Sequence, residues 1–133
     1  FQHWIYLNPE HTADERRKAW REAYARLSGK AVNWDGLDDA LENMWQKQLH
    51  IFEVPFYYIE YGFAQLGAIA VWRNFILDQK TALEKYIAAL SLGYTDTIGA
   101  IYTEAGISFN FEDRYVAELS GFVSDQLAKL EQK

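Results

Sequence analysis

Apolar side chains recur at three- and four-residue spacing along most of the chain, the period of helices that bury one face. The clearest run starts at Pro55 and continues to about Asp78, where Leu66, Ile69, Trp72, Phe75 and Ile76 are spaced to fill a core. Ala64, Gly67, Ala68 and Ala70 thin the middle of that run, as the close approach of a neighbouring helix requires. This element is expected to be the longest and the most buried. Pro55 suits its first position, where a missing N–H costs nothing and φ is already helical.

Punctuation along the rest of the chain predicts more helices. Phe1 to Asn8 reads as the end of a helix stopped by Pro9. Thr12-Ala-Asp-Glu15 spells a capping box for a helix to about Ser28, with Gly29 as its C-terminal residue. Asn33-Trp-Asp-Gly36 forms a turn before a shorter helix from about Leu37 to Gln48. Thr81 and Thr95 are candidate caps for helices ended by Gly93 and Gly106, and Asn110 stands before Glu112 and Asp113 at the head of a last helix to about Leu130. Alternating patterns are nearly absent, with Ile107 to Phe111 the single candidate strand. The expectation is an all-α fold, one helical domain over residues 1–133.

Composition narrows the function classes. Half of the 133 residues are apolar and 17% aromatic, enough for a core. A formal charge of −6 argues against nucleic acid or an anionic membrane as partner. The basic group Arg16, Arg17, Lys18 and Arg21 sits among acids at Asp14→Lys18 and Glu22→Arg26 spacing, the pattern of a solvated helix face. The absence of cysteine excludes disulfide and thiol chemistry and fits a reducing cytoplasm. The apolar run from Gly62 to Trp72 falls far short of the ~20 residues of a membrane span.

The candidate chemistry lies around Pro55. His50 precedes the long helix, and Tyr57, Tyr58 and Tyr61 crowd its first turns. Tyr58 and Tyr61 are three residues apart and project from one face, ~5–6 Å apart at Cβ, whereas Tyr57 and Tyr58 lie ~100° apart around the axis. Phenol hydroxyls are neutral donors at pH 7 and histidine can donate near neutrality, so such groups can hold a carbonyl and the oxyanion that grows from it. His50 and Glu53 have the spacing of two metal ligands, but no third accompanies them and Pro55 suggests a loop. His3 and His11 read as structural or exposed, and Glu60 and Glu104 show no partner that would tune a general base. Gly62 and Gly67 each cost a helix ~1 kcal/mol. Either close helix packing or room for a peptide backbone would explain them.

The run His50 to Gly67, H-I-F-E-V-P-F-Y-Y-I-E-Y-G-F-A-Q-L-G, resembles the C-terminal substrate-binding segment of oligoendopeptidase F, in the thimet oligopeptidase family of zinc metallopeptidases. The likeness extends to Phe1-Gln-His-Trp-Ile-Tyr6, Trp45-Gln-Lys-Gln48 and Ala105-Gly-Ile-Ser-Phe109, and so covers essentially the whole chain. It implies part of a helical, zincin-like enzyme that hydrolyses internal bonds of short peptides. By this resemblance Tyr61, helped by Tyr58, donates to the oxyanion, His50 holds the substrate backbone, and Tyr57 contacts substrate or packs. The family's zinc is held by His-Glu-x-x-His and a later glutamate, and no His-Glu-x-x-His occurs here. The chain also opens on Phe1. The expectation is therefore a C-terminal fragment that pairs with an upstream zinc-binding half, is inactive alone and tends to self-associate. The alternative is a non-catalytic helical module that binds a peptide or protein through the same aromatic residues.

Overall fold

The structure, a computed structural model, describes residues Phe1 to Gln132. Every regular element among them is helical, so the fold is all-α as expected. The chain divides into two compact units, Phe1–Tyr58 and the part from Ile59 onward.

The first unit holds α1 (Gln2–Leu7), α2 (Ala13–Leu27), α3 (Asp38–Asn43), a 3-10 turn (Met44–Lys47) and α4 (Leu49–Glu53). The capping box forms: the Thr12 hydroxyl accepts from the Glu15 backbone N–H, and the Glu15 carboxylate accepts from the Thr12 N–H at 2.7 Å. Those hydrogen bonds from Thr12 hold the Glu15 carboxyl below its usual range. At the other end α2 stops at Ser28 in an extended conformation, so Gly29 provides no left-handed cap. The helix expected from Leu37 to Gln48 breaks at Asn43, whose carboxamide donates to the Asp39 carbonyl at 2.9 Å and so competes for a helical acceptor.

The charges on α2 pair differently from the expected spacing. Arg17 meets Asp14 at 2.6 Å, and Lys18 lies 4.0 Å from Glu22. Arg21 reaches across to α3, contacting Asp38 at 2.6 Å and Glu42 at 2.8 Å. Beside that clamp the Trp20 indole N–H donates to the Leu41 carbonyl at 2.9 Å, and Leu41 is buried. The basic cluster thus contributes one inter-helix tie as well as a solvated face.

The second unit is built from α5 (Tyr58–Leu77, from its second residue), α6 (Gln79–Leu92), α7 (Ile98–Glu104) and α8 (Asp113–Glu131). The caps are shifted from the expected positions. Asp78, not Thr81, caps α6 by accepting from the Thr81 N–H at 3.2 Å, and Thr97, not Thr95, caps α7. Gly93 and Gly106 end their helices with positive φ. Residues 107–111 form no strand; Phe109 and Phe111 instead pack on Phe63, with ring centroids 5.6 and 4.2 Å away.

At 20 residues α5 is the longest element, yet its buried positions are the small ones, Gly67 and Ala70. Trp72, Phe75 and Ile76 remain 37–53% exposed, which corrects the expectation that they fill a core. The reason is the close approach that the small residues permit. A Cβ on Gly67 would stand 2.9 Å from the Tyr102 hydroxyl and 3.2 Å from its ring. Tyr102 itself donates to the Phe63 carbonyl at 3.2 Å, and burial raises its pKa, which keeps that proton in place. Close packing therefore accounts for Gly67. Gly62 has nothing within 4 Å of a would-be Cβ.

The two glycines predict opposite responses to alanine. Gly67→Ala should destabilise the second unit, because overpacking costs ~1–3 kcal/mol against a helix-propensity gain of ~1 kcal/mol. Gly62→Ala should stabilise by up to ~1 kcal/mol. Urea unfolding checks both, and equal shifts for the two variants would dismiss the packing explanation.

Candidate functional site

The segment that carries the candidate residues is shaped by a turn. Pro55 does not open α5. It occupies the second position of the turn Val54 to Tyr57, closed by the Tyr57 N–H donating to the Val54 carbonyl at 3.1 Å. Phe56 takes the third position with φ 62°, as a type II turn demands, although glycine is the usual residue there. A side chain in the left-handed region costs ~1–2 kcal/mol. Around Phe56, its N–H donates to Gln2 Oε1 at 3.2 Å and its ring lies 5.0 Å from His3 and 5.5 Å from Tyr6. The expected helix start at Pro55 is thereby displaced to Tyr58.

His50 lies on α4, not in the loop that Pro55 suggested. The turn brings the following tyrosines back onto its ring. Tyr57 stacks on the imidazole with centroids 5.2 Å apart at 25°, and Tyr58 lies 4.9 Å away at 47°. The structure therefore joins His50, Tyr57 and Tyr58 in one cluster of the first unit. Tyr57 packs its ring against the histidine. Tyr61 stands three residues after Tyr58 in the first turn of α5 and is 52% exposed. Tyr57 and Tyr58 are 44% and 38% exposed, so a ligand can reach each ring.

Gln48, which had no assigned role in the sequence, completes the cluster. The Tyr58 hydroxyl donates to its Oε1 at 2.8 Å. A hollow of about 340 Å³ adjoins this pair, walled by Phe1, Trp20 and Ile51 and edged by Gln2, Gln48 and Tyr58. No local pattern marks Gln48, because its partner is ten residues away across a turn whose geometry depends on an atypical Phe56. Gln2 was missed for the same reason.

The other histidines have structural surroundings. His11 contacts the Asn8 carbonyl through Nδ1 and accepts from Arg16 Nε at 2.7 Å, while His3 packs its ring on Phe56. His50 and Glu53 do share α4, but no group of three or more histidine, cysteine, aspartate or glutamate side chains among the described residues could hold a metal. The residues described thus do not fit a zinc site of their own. No helix among them is long and apolar enough to cross a membrane. In the second unit, a separate cavity of about 500 Å³ opens between α5, α6 and α7, lined by Gly67, Trp72, Phe75, Tyr86, Leu90 and Ile101 among others.

No curated protein and no solved structure matches the chain. The sequence pattern of the family described as Peptidase family M3 matches residues 1–121. That match takes in the whole first unit, the second unit as far as Gly121 and every residue of the His50 cluster, and it agrees with the thimet-type resemblance read from His50 to Gly67. The chain belongs to peptidase family M3.

Proposed function

We propose that this chain supplies the substrate-binding and oxyanion-stabilising residues of a zinc oligoendopeptidase of the oligoendopeptidase F type, acting on short peptides in the cytoplasm. The observation that carries the reading is the cluster in which the turn at Pro55 lays Tyr57 and Tyr58 against His50, within a chain matched to a peptidase family. In this account His50 hydrogen-bonds the peptide backbone and Tyr57 steadies the imidazole. Tyr58 and Tyr61 offer phenol protons to the carbonyl oxygen as it gains charge. Such donors act where charge develops, and one of them is typically worth a factor of ~10² to 10³ in kcat.

In this reading the zinc and its ligands would belong to another part of the peptidase, since no group of described residues could hold a metal. The partner of this chain is accordingly the zinc-binding half of the enzyme. Exposed apolar residues of α6, Leu83, Ile87 and Leu90 (48–62% exposed), favour association in its absence.

The reading predicts that the 133-residue chain by itself hydrolyses no peptide but still contacts one. Titration with a short peptide, followed by NMR, should shift resonances of His50, Tyr57, Tyr58 and Tyr61 before others. Shifts confined to the α5–α7 cavity, or zinc-dependent cleavage abolished by a mutation in this chain, would contradict it.

A further inference from the structure

A phenol has one proton, and in this structure the Tyr58 proton is directed to Gln48 Oε1 at 2.8 Å. While it stays there it is unavailable to a substrate oxygen. The acceptor is a carboxamide, which carries an acceptor oxygen and a donor NH₂ on one planar group. Turning that group by half a revolution about its last torsion would present Nε2–H to the phenol oxygen in place of Oε1. One hydrogen bond is exchanged for another across the same pair, and the phenol proton is released to point elsewhere. The terminal sp³–sp² torsion of glutamine is broad, so the motion is inexpensive.

Gln48 is placed to make this exchange without moving the backbone. Its peptide nitrogen is fixed by donation to the Trp45 carbonyl at 3.0 Å, and it stands at the junction of the 3-10 turn and α4. Its side chain borders the 340 Å³ hollow beside Tyr58, which leaves room on one side of the pair. Trp45 and Phe52, whose rings lie 5.9 Å apart, further tie the 3-10 turn to α4 on either side of Gln48.

We propose that Gln48 is a positioning residue for Tyr58: its oxygen holds the phenol proton at rest, and its NH₂ supports the phenol oxygen once that proton is given to the substrate oxyanion. A residue that can only accept would keep the proton on the enzyme's side, and a carboxylate would grip it more tightly through a charge-assisted bond. The inference rests on the proposed donor role of Tyr58 and adds to it the group that controls the donor.

The test uses Tyr58→Phe, Gln48→Glu and Gln48→Met in the zinc-containing peptidase that carries this chain, with kcat and KM measured on one quenched-fluorescent peptide. Zinc content and circular dichroism confirm that each variant is loaded and folded. Gln48→Glu is expected to lower kcat at neutral pH by ~10², like Tyr58→Phe, with little change in KM. Gln48→Met, which neither grips nor supports the phenol, should lose less than Gln48→Glu. The ratio of Gln48→Glu to wild type should rise as pH falls toward the ~4.3 of a glutamate, because a protonated carboxyl regains a donor. Tyr58→Phe should show no such recovery. As a readout apart from turnover, Tyr58→Phe in the 133-residue chain should shift the Gln48 side-chain amide resonances. Full activity in Tyr58→Phe would overturn the donor role and this inference with it. A large loss in Tyr58→Phe beside near-normal activity in Gln48→Glu, or equal losses in Gln48→Glu and Gln48→Met at every pH, would overturn the inference alone.

Discussion

Tyr61→Phe is expected to lower kcat by a factor of ~10² or more while leaving KM nearly unchanged. The substitution removes one hydroxyl and retains the ring. Tyr61 stands in the first turn of α5 and is half exposed, so the loss of one oxygen should disturb packing little. A donor whose value appears when charge reaches the carbonyl oxygen affects the transition state more than the bound peptide, and kcat records that difference. Tyr57→Phe should be milder, because Tyr57 already stacks on His50 and the ring is what packs. Steady-state kinetics in the zinc-loaded peptidase separates the two. Near-normal kcat for a stable Tyr61→Phe enzyme would remove Tyr61 from the oxyanion role and leave Tyr58 to be tested in it.

The largest stability effect should come from Leu119 on α8, which is fully buried. Leucine to alanine at such a site loses the transfer energy of the deleted atoms and leaves a cavity, together ~3–5 kcal/mol. The other buried apolar residues described in the second unit are the small Ala70, Ala82, Ala89 and Ala105, so little large side-chain mass is at hand to collapse into the gap. Leu119→Ala should therefore move the urea midpoint of the second unit far more than an exposed truncation such as Leu130→Ala, where the side chain is 64% exposed. Comparable shifts for the two would mean that Leu119 is not the packing centre of α8.

Much of this fold is legible in the sequence because helix ends obey local chemistry. Thr12 and Glu15 form their capping box from four consecutive residues, and Gly93 and Gly106 stop helices wherever a left-handed residue is needed. The misplaced caps, Asp78 for Thr81 and Thr97 for Thr95, differ by two or three residues because several good capping side chains sit close together. Which face of α5 is buried was less legible. Periodicity marks where bulky residues lie, but the approach of Tyr102 to Gly67 decides which stripe is covered.

The site followed the same division. His50, Tyr57, Tyr58 and Tyr61 stand out as residue types suited to holding an oxyanion. Their arrangement turns on Pro55 and Phe56, and a phenylalanine with φ 62° carries no sequence signal of a turn, so Pro55 reads as a helix start. Gln48 and Gln2 enter the site only through that turn, one by the Tyr58 hydroxyl and the other by the Phe56 N–H.

The central claim is that this chain contributes substrate-holding groups to a peptidase whose metal is held elsewhere. Its most direct test is kcat/KM for His50→Ala at full zinc occupancy. The account predicts a loss of ~10² or more with zinc content unchanged, shared between a higher KM and a lower kcat. Unchanged kcat/KM, or a loss that follows the departure of zinc, would contradict it.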